Sequence, residues 1–143
     1  MRPKSVVMFE RLFLASLALS VVNFFVSYDA AMEELARQPG VTKLGIGDGL
    51  LIATMTIGTA IYLLLWFLIA RKASNVAKWV LVVFVAIGAV SFLAALTSAR
   101  FDAAMMLALV LYALEIAAVA FLFKEDAKAW LKGEWDADPA AFD

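Results

Sequence analysis

The sequence has no cysteine and no histidine. Without cysteine there is no disulfide framework, no thiolate metal site and no cysteine nucleophile. Without histidine there is no histidine-ligated haem, most zinc sites are excluded, and no imidazole is available as a general base. The net charge is −1, so the chain has no overall basic field for gathering nucleic acid. A redox or hydrolytic enzyme is hard to build from the residues that remain, and neither a cofactor nor a metal is expected.

What the chain does have is apolar surface. Its 143 residues are 65% hydrophobic, against roughly 45–50% in an average soluble domain. The excess is gathered in four blocks, each close to the ~20 residues that cross a bilayer. The spacing predicts helices over about 6–27, 50–70, 76–99 and 102–123. Together they predict an all-α fold: an integral membrane, antiparallel four-helix bundle forming a single domain over 1–135. A soluble amphipathic bundle is excluded because no block keeps a charged face over its length.

The first block follows Arg2, Lys4 and Arg11. It is not read as a signal peptide, because Tyr28 and Asp29 stand where small residues are needed. Glu10 and Arg11 are expected at headgroup depth, where long side chains snorkel. Ser16, Ser20, Asn23 and Ser27 recur at spacings of four, three and four, hence on one face. In lipid such residues turn toward other helices, so the stripe is expected to pack.

Residues 28–49 form the longest hydrophilic stretch and are expected to be an extracytoplasmic connector. Glu33 and Arg37 have the favourable acid-first spacing on a short helix or an outward extension of the first span, and Pro39–Gly40 should end it. Its acids, Asp29, Glu33, Glu34 and Asp48, match no calcium-loop spacing. The glycine-rich run 45–49 lacks the lysine and the preceding strand of a phosphate loop. It is read as a turn, with Asp48 capping the second span.

In that span Thr54, Gly58 and Tyr62 share a face. A short turn with Ser74 or Asn75 as cap makes a hairpin with the third span, where Lys78 and Trp79 are expected as interfacial anchors. Gly88, Ser91, Ala95 and Ser98 make a second small-residue stripe of the kind that lets membrane helices approach closely. Residues 124–135, with three lysines and two tryptophans, read as an interfacial stub. Residues 136–143 read as a short, acidic, disordered tail.

Charge sets the expected orientation. Nine of the twelve basic residues fall on the side that holds both termini, and only Arg37, Lys43 and Arg100 fall on the other. Positive residues collect on the cytoplasmic face, so both termini are expected in the cytoplasm.

Glu115 is the only charged side chain deep inside any long apolar block. It lies nine residues before Lys124, or ~13 Å of helix rise. No lysine or arginine matches its depth, and an ionised carboxylate there costs several kcal/mol, ~2.5–3.5 on insertion scales. A protonated, hydrogen-bonding acid is expected, with Tyr62 and Ser16 as partners at similar depth and Tyr112 on the same face. The structural reading is an acid that ties the fourth helix to the bundle. The functional reading is a proton-binding carboxylate.

Four helices in a chain of this size invite comparison with the small multidrug-resistance transporters. Those work around a glutamate of the first helix, whereas here the deep glutamate is in the fourth, so the likeness is of size and helix count. The segments RPKSVVMFERL, ARKASNVAKWVLVV and FKEDAKAWLKG resemble the flanks of small, uncharacterised four-helix proteins of the bacterial inner membrane. That resemblance implies a location but no activity and no site.

Two expectations for function follow. One is a small inner-membrane accessory or scaffold protein, packing through its helices against itself or a larger membrane complex. The other is a proton-coupled small-molecule transporter, a homodimer with Glu115 as the proton site and Tyr62 and Tyr112 along the path.

Overall fold

The computed structural model describes residues 2–40, 47–97 and 102–135, except the side chain of Ala95. The described residues are all-α: α1 Lys4–Ala36, α2 Gly47–Lys72, α3 Asn75–Leu96, α4 Ala103–Phe121 and α5 Glu125–Lys132. The first four are long and apolar enough to cross a membrane, as expected for a membrane protein.

α1 is longer than the apolar block that begins it. Its 33 residues rise ~50 Å, well beyond the ~30 Å of a hydrocarbon core. The sequence after Val26 carries charge but no breaker, and Ala, Met, Glu and Leu are strong helix formers. Much of the expected connector is therefore a continuation of α1, and Asp29 lies inside the helix. The helix stops at Ala36, shortly before Pro39, whose ring disfavours helical geometry in the residue ahead of it. Arg37 pairs with Glu34 at 3.4 Å rather than with Glu33. Of the glycine-rich run 45–49, residues 45 and 46 lie outside the described residues, and 47–49 are helical where a turn was expected. α2 has already begun at Gly47, so Asp48 lies in its first turn, where its carboxylate accepts a 2.8 Å hydrogen bond from Tyr28.

α2 and α3 are joined by Ala73 and Ser74 alone. Ala73 takes a left-handed conformation with φ 51°, strained for any residue with a Cβ. Ser74 is the cap: its hydroxyl accepts from the Ala77 N–H at 3.2 Å. Asp102 caps α4, accepting from the Met105 N–H at 2.9 Å. The stub expected after 123 is a separate helix, α5. It ends at Gly133, whose φ of 74° turns the chain and lets the last carbonyls find donors.

Around the bundle α1 packs most extensively on α4 and next on α2; α2 packs on α3, and α3 touches α4 more sparsely. The partners on α2 descend in number as those on α1 rise: Glu10 with Arg71, Phe13 with Tyr62, Tyr28 with Asp48. The core is concentrated at the end of the bundle that carries α5. Val6, Phe9 and Phe13 of α1, Ile69 of α2, Leu81 of α3 and Leu122, the residue that ends α4, are fully buried there. α5 closes that end with Ala127 and Leu131. A stack of rings crosses three helices: Phe9 to Phe13 at 5.3 Å, Phe13 to Tyr62 at 5.8 Å, and Tyr62 to Phe84 at 6.3 Å.

Toward the other end the helices expose their apolar residues, among them Val22, Phe25, Ile57, Ile87, Val90 and Met106. Apolar side chains with no protein neighbour are the normal outer surface of a membrane bundle.

Candidate functional site: a polar-floored cleft around Glu115

Where the packed end gives way to the open one, α1, α2 and α4 enclose a cleft of about 390 Å³. Leu17, Ser20 and Phe24 line it from α1, and Leu51, Thr54, Met55, Gly58, Thr59 and Tyr62 from α2. Leu111, Tyr112 and Glu115 line it from α4. The walls are mainly apolar. The polar groups come from the same helical faces that the sequence pattern singled out on α1 and α2.

Glu115 is buried, with 5% of its surface exposed. Among the described residues its carboxyl group has no hydrogen bond and no ion pair. Tyr62 and Tyr112 are close enough for their hydroxyls to interact electrostatically with it, but neither is bonded to it. The Tyr62 ring is held in the aromatic stack between Phe13 and Phe84. Tyr112 lies three residues before Glu115, and its ring rests on Gly88 of α3 and tilts against Phe92 at 4.8 Å. Ser16 is fully buried, and its hydroxyl donates to the Phe13 carbonyl at 2.8 Å, within its own helix.

The small and polar stripes divide by position. Ser20 and Ser27 donate to carbonyls of α1, Leu17 and Asn23. Among the described residues the Asn23 Oδ1 is enclosed without a donor. Among the described residues Gly58 faces open space, with nothing within 4 Å of where its Cβ would stand. Gly88 is the close-approach glycine, pressed by Tyr112. Ser91 is exposed and bonds back to Ile87 at 2.9 Å. The side chain of Ala95 and the whole of Ser98 lie outside the described residues.

A second polar group escaped the reading of single helices. Glu10 is paired with Arg2 in α1's own end and with Arg71 of α2 at 3.4 Å. The Arg71 guanidinium also lies over the Trp66 ring at 5.9 Å, while the Trp66 indole N–H is enclosed without an acceptor among the described residues. The signal available was an acid and an arginine at matching depth, on two helices that the sequence does not show to be neighbours. α5 is joined to this end by hydrogen bonds from Ser5 N–H to Asp126 at 3.0 Å and from the Trp130 indole to the Ile69 carbonyl at 3.4 Å. Partial burial pushes the Asp126 carboxyl up, but the bonds from Ser5 and from the N–H groups of Ala127 and Asp126 outweigh it. The net position is below the ordinary aspartate value.

Chemically the cleft offers one carboxyl group, two phenols and several hydroxyls on an apolar surface. Comparison with protein families, with curated proteins and with solved structures finds no match.

Proposed function

We propose that this chain is a small, non-enzymatic accessory or scaffold protein of the bacterial inner membrane. It spans the bilayer as an antiparallel four-helix bundle with both termini in the cytoplasm, and works by packing helices against itself or a larger membrane complex. The observation that carries this reading is the cleft. Its polar residues and the vacant face of Gly58 are suited to another helix, and hydrocarbon chains solvate a carboxyl group and hydroxyls poorly. The nine basic residues on the terminal side support the orientation. Mild extraction from the native membrane, followed by mass and composition analysis, tests it. A self-dimer or a stoichiometric larger partner is expected; a monomer carrying only lipid overturns it.

Glu115 favours a second reading. A buried carboxyl group without a partner among the described residues, facing a cleft of about 390 Å³, suits a proton-coupled transporter of small molecules that works as a homodimer. Tyr62 and Tyr112 would line the path. Flux in proteoliposomes separates the two: E115Q abolishes coupled transport on this reading and leaves partner binding intact on the first.

A further inference from the structure

We propose that the cleft between α1, α2 and α4 binds a primary amine carrying one long apolar chain, with the ammonium group at Glu115 and the chain in the groove between α1 and α2.

The cleft holds acceptors and is short of donors. Glu115 lines it, is more than nine-tenths buried, and has no hydrogen bond or ion pair among the described residues. Ser20 and Thr59 line the same cleft, and both have turned their hydroxyl hydrogens to their own helices. Ser20 donates to the Leu17 carbonyl at 2.7 Å, and Thr59 to the Met55 sulfur at 3.9 Å. A hydroxyl whose hydrogen is used in this way can still accept. A ligand that suits the cleft therefore brings donors, and one that also brings positive charge matches the carboxylate. A primary ammonium group has three N–H donors and a full charge at neutral pH.

The chain itself supplies no such group at this depth. Its twelve basic residues lie near the ends of the apolar blocks or in the connectors. Glu115 lies nine residues before Lys124 and twelve after Ala103, or ~13 Å and ~18 Å of helix rise, farther than a lysine or arginine side chain extends. Lys43 and Arg100, which are outside the described residues, belong to the connectors at the far end, and residues 136–143 contain no basic residue.

The place of the apolar chain follows from continuity. Phe24, Met55 and Thr59 line both the cleft and a second groove of about 730 Å³ between α1 and α2. Phe25, Ile52 and Leu63 also line that groove and are exposed, so it is apolar and open toward hydrocarbon. An alkyl chain that leaves Glu115 past Thr59 stays on apolar surface, and both volumes are in the range of small-ligand sites. An amine of this kind deepens the transporter reading given above and rests on it.

The test uses the full chain in neutral detergent with three probes of one chain length: dodecylamine, dodecyltrimethylammonium and dodecanol. Native mass spectrometry reads bound probe, and a melting curve reads stabilisation. Dodecylamine is expected to bind about tenfold more tightly than either of the others, since one lacks N–H donors and the other lacks charge. E115Q should weaken dodecylamine about tenfold and leave dodecanol unchanged. G58L puts a side chain into the cleft where nothing lies within 4 Å among the described residues. It should weaken binding with the carboxyl group intact, and it decides the matter if E115Q does not fold. Equal binding of dodecyltrimethylammonium or dodecanol overturns the proposal, and so does undiminished binding of dodecylamine in E115Q or G58L. Selective amine binding without proton-coupled flux in proteoliposomes keeps the ligand and overturns the transporter reading. Coupled flux of another substrate, with no amine binding, does the reverse.

Discussion

The ring of Tyr112 on α4 rests against Gly88 on α3: a Cβ at position 88 would stand 3.1 Å from the ring's Cε1 and 3.3 Å from its hydroxyl oxygen. α3 and α4 touch sparsely elsewhere, so this contact fixes much of their approach. G88A should therefore displace Tyr112 and lower stability by about 1–3 kcal/mol, the usual cost of overpacking. G58A is the control. Among the described residues nothing lies within 4 Å of its Cβ position, so it should gain up to about 1 kcal/mol from helix propensity. Thermal melts of the two variants in one detergent check both signs. If Gly58 faces a partner helix, G58L should in addition break the assembly without unfolding the chain.

Glu115 is buried without a hydrogen bond among the described residues. A buried polar group in that state costs stability, so E115M should raise the melting temperature of the isolated chain, by the equivalent of about 1–3 kcal/mol. The same substitution made in an assembled complex should lose that gain if the partner donates to the carboxyl group. Melting curves of monomeric and assembled protein give the comparison, and a lower midpoint for E115M in the monomer contradicts it.

Asp126 predicts a pH response of α5. Its carboxyl lies below the usual aspartate value of 3.8 in the folded chain. A depressed folded-state value means the stabilisation is fully present above the unfolded value, and is lost as pH falls through the folded one. α5 should therefore be docked at neutral pH and begin to loosen only below about pH 4. D126N should loosen it already at pH 7 and flatten that part of the acid response. Proteolysis or hydrogen exchange within 125–132, followed from pH 7 to pH 3, measures it.

Ala73 holds a left-handed backbone between α2 and α3, with φ 51°. A glycine there has no Cβ to strain, so A73G should stabilise the chain by about 1 kcal/mol, despite the greater freedom of the unfolded state. A chemical unfolding midpoint that does not rise would mean the turn is held by more than its backbone geometry.

Glu10 joins two helices through Arg71, whose side chain is 48% exposed. Solvent screens such a pair, so the coupling measured by a double-mutant cycle of E10A and R71A should be no more than about 1 kcal/mol.

The four apolar blocks made the membrane helices legible because hydrophobic length is written locally in the chain. A cap at Ser74 or Asn75 and the lone carboxyl at position 115 were legible for the same reason, since each is a property of one residue and its near neighbours; the cap at Asp102 was not read. The extent of α1 was not, because a charged stretch with no breaker reads equally as a connector or as more helix. The partners of Glu115 were not either: matching depth on neighbouring helices does not say which way a side chain turns. Ser16 turned to its own backbone, and the Tyr62 ring entered a stack with Phe13 and Phe84.

The sequence by itself determined that this is an all-α chain with four segments able to cross a bilayer, since length and hydropathy suffice for that. Only the tertiary structure decided that the core gathers at one end, that α5 folds back to close it, and that Lys78 is buried while Gly58 faces open space among the described residues. Those outcomes depend on how far each helix is turned about its own axis. Rotation is set by the summed contacts of all the helices together, and no single stretch of sequence contains it.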